Sequence, residues 1–155
     1  MANQNENQAP LTPEESLEEI FRRAASGVPD KEGQGEVVAE SLRYLQQGFD
    51  AHYAGGGEEA TDDDILVGDN AYAWAVETIA FLDEPQFVAV ASRMIRDGAG
   101  VMSSGQNVEL ELWIPHLADL LKIISGEDAA ASEARIRGAV EEAGAQEFSA
   151  DGAST

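Results

Sequence analysis

The stretch that decides the fold is TDDDILVGDNAYAWAVETIAFL, residues 61–82. Thr61 is a favourable helix N-cap residue, and the three aspartates at 62–64 put negative charge in the first turn, where the helix dipole favours it. The residues that follow are apolar on most sides of a helix. Because such a helix needs cover on all sides, the sequence predicts a buried central helix over about 62–82.

Polar side chains interrupt this predicted buried helix at Asp69, Asn70 and Glu77. Asn70 and Glu77 are seven residues apart and share one side with Trp74 and Phe81, which we expect to be buried. Buried carboxylates are costly unless they are paired or hydrogen-bonded, so a structural salt bridge is the simplest interpretation. The arginines available for it on the following helix are Arg93 and Arg96.

The alternative interpretation is a pocket at the central helix, in which a carboxylate of raised pKa binds a ligand or takes part in catalysis. The two imidazoles of the chain are His52 and His116, and neither stands in an HExxH motif. His52 is more simply a packed histidine near a helix end, and His116 can contact the first turn of its own helix. The candidate pocket residues are Asp69, Tyr72, Trp74, Glu77, His52 and His116.

Helical patterns flank the central stretch on both sides, divided by glycine and proline clusters. Caps followed by proline mark two of the starts, at Thr12-Pro13 and at Asp83-Glu84-Pro85. The last helix is rich in alanine and only weakly amphipathic. The predicted flanking helices run from Thr12 to before Gly27, from about Glu36 to Tyr53, from Asp83 to before Gly98, and over about 128–143.

The stretch from Val108 to Ile124 is ambiguous. Apolar and acidic residues alternate over 108–113, which is typical of a strand, whereas the leucines after Pro115 repeat at helical spacing. We favour one helix kinked at Pro115, with a short strand at 108–113 as the alternative.

These patterns together predict an all-α fold, a single compact domain of five or six helices around the buried central helix. Residues 1–10 are polar and aperiodic and are expected to form a disordered leader. The helical domain covers 11–144. Residues 145–155, rich in alanine, glycine, serine and acid, are expected to form a disordered tail.

Composition excludes several classes of function. The chain has 155 residues, 30 acidic against 9 basic side chains, a formal net charge of −21 and no cysteine. Without cysteine there is no disulfide scaffold, no thiol nucleophile and no cysteine-based metal site. The charge repels phosphate and anionic lipid, so we expect no direct binding to nucleic acid or to membranes. No signal or spanning segment is present, and a soluble, cytoplasmic protein is the expectation.

Motifs for metal or cofactor chemistry are absent from the sequence. The acidic run at 58–64 lacks the glycine and the final glutamate of an EF-hand loop when counted from Asp62. No nucleotide-binding loop and no GxSxG is present. We therefore predict no metal site, no cofactor and no catalytic residue set.

The charge pattern favours protein–protein binding. From Tyr44 to Ser92 there is no lysine or arginine, while the same span holds ten carboxylates. We hypothesise a non-enzymatic adaptor, inhibitor or assembly factor for a basic protein, with mimicry of nucleic acid as one form. The alternatives are a small all-α enzyme or ligand-binding module and simple adaptation to high salt, and self-association stays open. The predicted acidic docking residues are Glu58, Glu59, Asp62, Asp63, Asp64, Asp83 and Glu84.

Overall fold

A computed structural model describes residues 16–30, 32–52, 61–106 and 108–153, with side chains described as far as 144. This part of the chain is all-α, as predicted, and compact. Its helices are α1 (Leu17–Ala25), α2 (Gln34–His52), α3 (Asp62–Ala80), α4 (Pro85–Ser103), α5 (Leu110–Ser125) and α6 (Ala129–Ala153).

The helix starts follow from local hydrogen bonding. Thr61 caps α3 as predicted: its side chain accepts from the Asp64 N–H, and the Asp64 carboxylate accepts from the Thr61 N–H in return. Pro85 is the first residue of α4, and the N-cap is Glu84. The first helix begins later than Thr12, because Ser16 caps it by accepting from the Glu19 N–H. The predicted cap at Thr12 lies outside the described residues.

The strand alternative at 108–113 is wrong, because α5 begins at Leu110. Helical spacing lets Trp113, Ile114 and Leu117 enter the core together, whereas a strand would bury only alternate residues. Pro115 is the sixth residue of α5, so it removes a single hydrogen bond near the helix start.

The core lies between α1, α2, α4, α5 and α6, and α3 is at its edge. Of the largest fully buried side chains in the described part of the chain, α3 contributes Ile79 alone. The predicted buried central helix is therefore wrong in its placement, and Trp74 and Phe81 are 48% and 87% exposed. The fully buried large side chains are Phe21, Phe87, Leu17, Ile20, Leu42, Leu45, Ile79, Met94, Leu117, Leu120, Leu121 and Ile136.

The small residues of α3 explain this placement. The helix turns Gly68, Ala71 and Ala75 toward α2, and all three are buried. On α2, the Ser41 hydroxyl donates to the Ala75 carbonyl oxygen at 2.7 Å, across a buried contact. A seam of small side chains brings the two backbones close together, and the large side chains of α3 are left on the outside.

Gly48 and Gly68 mark the closest approach in this seam. A Cβ built on Gly48 overlaps the Tyr72 ring and lies 3.1 Å from the Gly68 carbonyl oxygen. A Cβ built on Gly68 overlaps the His52 ring and lies 3.1 Å from the Gly48 carbonyl oxygen. Neither helix has room for a methyl group here without moving away from the other.

The last helix extends beyond the end predicted near residue 143. Its backbone is helical to Ala153, in a stretch where the sequence predicted a tail from 145. Alanine, glutamine and glutamate at 145–147 are strong helix formers and favour the extension past Gly144. The predicted leader at 1–10 lies outside the described residues.

We expect Gly48→Ala and Gly68→Ala each to lower the free energy of unfolding by about 1–3 kcal/mol, the usual cost of overpacking. Chemical denaturation followed by circular dichroism measures the change. Gly138→Ala is the matched control, because Gly138 is also inside a helix and its Cβ meets nothing within 4 Å. This control should instead stabilise the protein by about 0.5–1 kcal/mol. Equal effects at Gly48, Gly68 and Gly138 would contradict the close approach.

Candidate functional site

The structure brings together three of the six predicted pocket residues, His52, Asp69 and Tyr72, where α2 and α3 meet. His52 Nε2 lies 3.1 Å from Asp69 Oδ1, and the His52 ring stacks on Tyr72 with 5.1 Å between ring centroids. The Asp69 side chain is 63% exposed, so this pair lies at the surface. The three residues form a contact between helices, and they line neither the cavity beside Glu84 and Asp119 nor the one beside Leu110 and Val140.

A row of aromatic rings connects this contact to His116. Tyr72 meets Phe49 edge to face at 5.4 Å, and Phe49 stacks on Trp113 at 4.5 Å between centroids. Trp113 in turn lies 6.4 Å from the His116 ring. A Cβ on Gly98 would lie 2.8 Å from Trp113 and 2.9 Å from Phe49, so α4 closes over the row.

His116 pairs with Asp97 at the other end of the row, with 2.9 Å between Nε2 and Oδ2. Partial desolvation raises the pKa of the Asp97 carboxyl, but hydrogen bonds from His116 and Arg96 outweigh it and hold this pKa below its ordinary value. His116 therefore connects α5 to α4 through its hydrogen bond with Asp97, a contact that we call the His116 tie. His52 pairs instead with Asp69 between α2 and α3, so the two imidazoles belong to different contacts between helices.

Burial raises the pKa of two groups in this region, the Tyr72 hydroxyl and the Asp50 carboxyl. Burial, followed by the charges of Asp69 and Asp50, raises the pKa of the Tyr72 hydroxyl, which is buried and has no hydrogen-bond partner among the described residues. Burial also raises the pKa of the Asp50 carboxyl. A phenol with a raised pKa stays neutral, so this arrangement offers no activated nucleophile.

Trp74 and Glu77 lie away from the other pocket residues, on the outer side of α3, where both are exposed. The predicted salt bridges to this helix are also wrong. Arg93 pairs with Asp119 on α5 at 3.4 Å, and Arg96 pairs with its neighbour Asp97 at 3.3 Å. Because Asp69 and Glu77 are not buried, neither needs an arginine to offset desolvation.

The outer side of α3 carries an apolar surface that the sequence interpretation placed in the core. In the described part of the chain, every exposed large apolar side chain lies between Ile65 and Phe81. We call the outward stripe the α3 face. It consists of Leu66, Val67, Asn70, Trp74, Glu77 and Phe81, with Leu66 66%, Val67 61%, Trp74 48% and Phe81 87% exposed.

Acidic residues stand at both ends of the α3 face. We call them the acidic rim, which consists of Asp62, Asp63, Asp64, Asp83 and Glu84. Three of them are exposed, Asp64 and Glu84 are half-buried, and none pairs with a cation of the described residues. Glu77 has no ion-pair partner there either. Glu58 and Glu59, the other predicted docking residues, lie outside the described residues.

One basic side chain, Arg43, lies at the edge of the face next to Tyr44 and is already engaged. Arg43 lies over the Tyr44 ring at 4.7 Å, and it also contacts Glu18 and Glu40 at 3.8 Å and 3.7 Å. Tyr44 stacks on Trp74 with 6.3 Å between centroids. The α3 face is therefore apolar at its centre and acidic at its ends, and its carboxylates form no ion pair within the described residues.

No protein family, no curated protein and no solved structure matches this chain. None of the helices in the described ranges combines the length and the apolar character that crossing a membrane requires. Within those ranges, no three histidine or acidic side chains are grouped so that they could hold a metal ion.

The two tryptophans provide a direct test of exposure at the α3 face. Trp113→Ala removes a side chain that is 3% exposed and should cost about 3–5 kcal/mol of unfolding free energy. Trp74→Ala removes a half-exposed side chain and its stacking on Tyr44, and should cost less than about 1.5 kcal/mol. Denaturation curves of the two variants measure the difference. A Trp74→Ala cost as large as that of Trp113→Ala contradicts the exposed face.

Asp50 should make stability depend on pH. Its folded-state pKa is raised, so the folded protein loses stability as pH rises from the ordinary aspartate value through the folded one. Asp50→Asn removes that loss. We expect the variant to be more stable than the wild type at neutral pH, with the difference vanishing near about pH 3, below the ordinary pKa of aspartate.

Thermal denaturation at both pH values measures this effect. Glu142→Gln is the control, because it removes one exposed carboxylate and so reports general charge repulsion alone. Equal stabilisation by Asp50→Asn and Glu142→Gln at neutral pH would show that burial of Asp50 is not the cause.

Proposed function

We propose that the protein acts without catalysis, by binding a basic partner protein through the α3 face, as an adaptor, inhibitor or assembly factor. The observation that carries this proposal is the concentration of exposed apolar side chains on one helix. Leu66, Val67 and Phe81 are each more than half exposed, and they stand in the span of sequence that has no lysine or arginine.

Exposed apolar surface of this kind supports a binding role. A soluble domain seldom leaves several large apolar side chains together in water, and when they are rimmed by polar groups they usually mark an interaction site. Helix α3 buries mainly glycine and alanine, whereas leucine, valine, tryptophan and phenylalanine on its other side are exposed. The exposed side is therefore the more apolar one, which is unusual for a helix at the edge of a core. A partner that covers the face would remove this apolar surface from water.

The acidic rim supports a basic partner. Opposite charges at the ends of a contact increase the rate of association and fix its orientation, and their contribution weakens with salt. The rim carboxylates form no ion pair within the described residues, which leaves them able to pair with a cation from outside. Docking of this kind agrees with the net charge of −21.

Adaptation to high salt accounts for the charge but not for the α3 face. Salting-out ions strengthen the burial of apolar surface, so an exposed apolar stripe would promote aggregation under those conditions. The ligand-binding alternative has less support, because its predicted residues stand at three separate places: the His52 contact, the α3 face and the His116 tie.

Affinity capture from a lysate of the source organism tests the proposed function. We expect the wild type to retain one basic protein in stoichiometric amount. Leu66→Ser/Phe81→Ser, which alters only exposed side chains, should lose it. Ala130→Ser/Ala134→Ser on the exposed side of α6 is the matched control and should keep it. Recovery of the same protein by the face variant, or of no protein by the wild type, would contradict the proposal.

The role of the acidic rim can be measured with that partner. Asp62→Asn/Asp83→Asn removes two rim charges, leaves the Thr61–Asp64 capping box intact and keeps a residue that tolerates the left-handed backbone at 83, where φ is 54°. Its affinity should fall about tenfold at low salt, with a shallower salt dependence. Glu141→Gln/Glu142→Gln removes the same charge from α6 and should change neither quantity.

A further inference from the structure

We infer that the partner segment on the α3 face is a basic amphipathic helix, with apolar residues seven apart and lysine or arginine between and beyond them. This inference rests on the proposed function and names the chemistry of the segment that binds.

The spacing of the face is that of a helix–helix seam. Val67, Trp74 and Phe81 follow one another at intervals of seven, and Asn70 and Glu77 stand between them, also seven apart. At about 100° per residue, all five lie within about 80° around the helix. This is a heptad pattern with apolar residues at one seam position and polar residues at the other. It extends along about 21 Å of α3.

A helix fits this surface better than an extended segment does. Peptides that bind as strands need an unpaired sheet edge, and the described part of the chain contains no strand. A helix laid at a small angle to α3 matches the repeat of seven along the whole stripe. Trp74, supported from behind by Tyr44, is the kind of aromatic residue that dominates binding energy at the centre of an interface.

A second copy of this chain is the wrong occupant on grounds of charge. Antiparallel pairing of two α3 faces sets Asp62 and Asp63 of one copy beside Asp83 and Glu84 of the other, at both ends. Parallel pairing sets Glu77 against Glu77. Each copy already carries −21, and within the described residues no rim carboxylate forms an ion pair, although Arg93 and Lys122 line the same cavity as Glu84. Like charges placed opposite each other disfavour such an association.

Charge complementarity therefore defines the occupant. Glu77 at the centre of the face requires a lysine or arginine opposite it once water is removed, because a desolvated carboxylate without a partner is costly. Asn70 supplies both a donor and an acceptor on the same seam line. The acidic rim requires further basic residues at each end of the bound helix. An arginine that reaches Trp74 gains a cation–π contact in addition.

A designed peptide tests this inference directly. The probe has about 21 residues, with leucine at every seventh position and lysine at the intervening seam position and both ends. The control peptide has the same composition, with the leucines distributed around the helix. Isothermal titration calorimetry measures both affinities, and a shift of tryptophan fluorescence that is absent from Trp74→Gln locates the binding at Trp74. We expect the probe to bind at least about tenfold more tightly than the control peptide.

Variants of the protein separate the apolar and the charged contributions. Trp74→Gln should weaken probe binding by about tenfold or more, and Glu77→Gln by about threefold to tenfold. Glu142→Gln is the matched control for loss of one exposed carboxylate and should have no effect. If the control peptide binds as well as the probe, attraction is by charge alone and the inference is wrong.

Two further outcomes would also overturn the inference. Sedimentation of the wild type as a dimer that Trp74→Gln dissociates would identify a second copy as the occupant. If neither peptide binds while affinity capture still returns a partner that depends on Leu66 and Phe81, the proposed function stands and the basic-helix inference fails.

Discussion

The approach of α2 and α3 at Gly48 and Gly68 is the contact on which the rest of the structure depends. It places each carbonyl oxygen 3.1 Å from the position of a Cβ on the opposite glycine, so the helices touch through their backbones. Since α3 buries little except glycine, alanine and Ile79, contact at this distance replaces the burial of large side chains. The same contact turns the leucine, tryptophan and phenylalanine of α3 to the surface.

Much of the fold could be predicted from local patterns. Residues close together in sequence indicate the all-α class, the cap at Thr61 and the start of α4 at Pro85. The burial of α3 was predicted wrongly, because a helix apolar on two sides does not reveal which side faces the core. That choice depends on Ser41 and Gly48, which lie 34 and 20 residues before their contacts Ala75 and Gly68 and are matched to α3 only after folding.

The candidate site was also predicted only in part from the sequence. The sequence correctly identified a side of α3 on which Asn70 and Glu77 stand beside Trp74 and Phe81, but it placed that side in the core. Pairing between His52 and Asp69, and between His116 and Asp97, was not predictable, because each pair joins two helices with no motif to mark it. Exposure of large apolar residues at the α3 face was the missed signal, and only packing reveals it.

The row of rings from Tyr72 through Phe49 to Trp113 limits which substitutions its positions can accept during evolution. Gly98 touches two of these rings and Gly48 touches the third, so a change of size at any of the five positions requires a compensating change at another. In related sequences these positions should vary together or not at all. On the α3 face only Trp74 stacks on another ring of the described part of the chain. The rate at which the exposed residues Leu66, Val67 and Phe81 change should therefore depend on the partner that covers them.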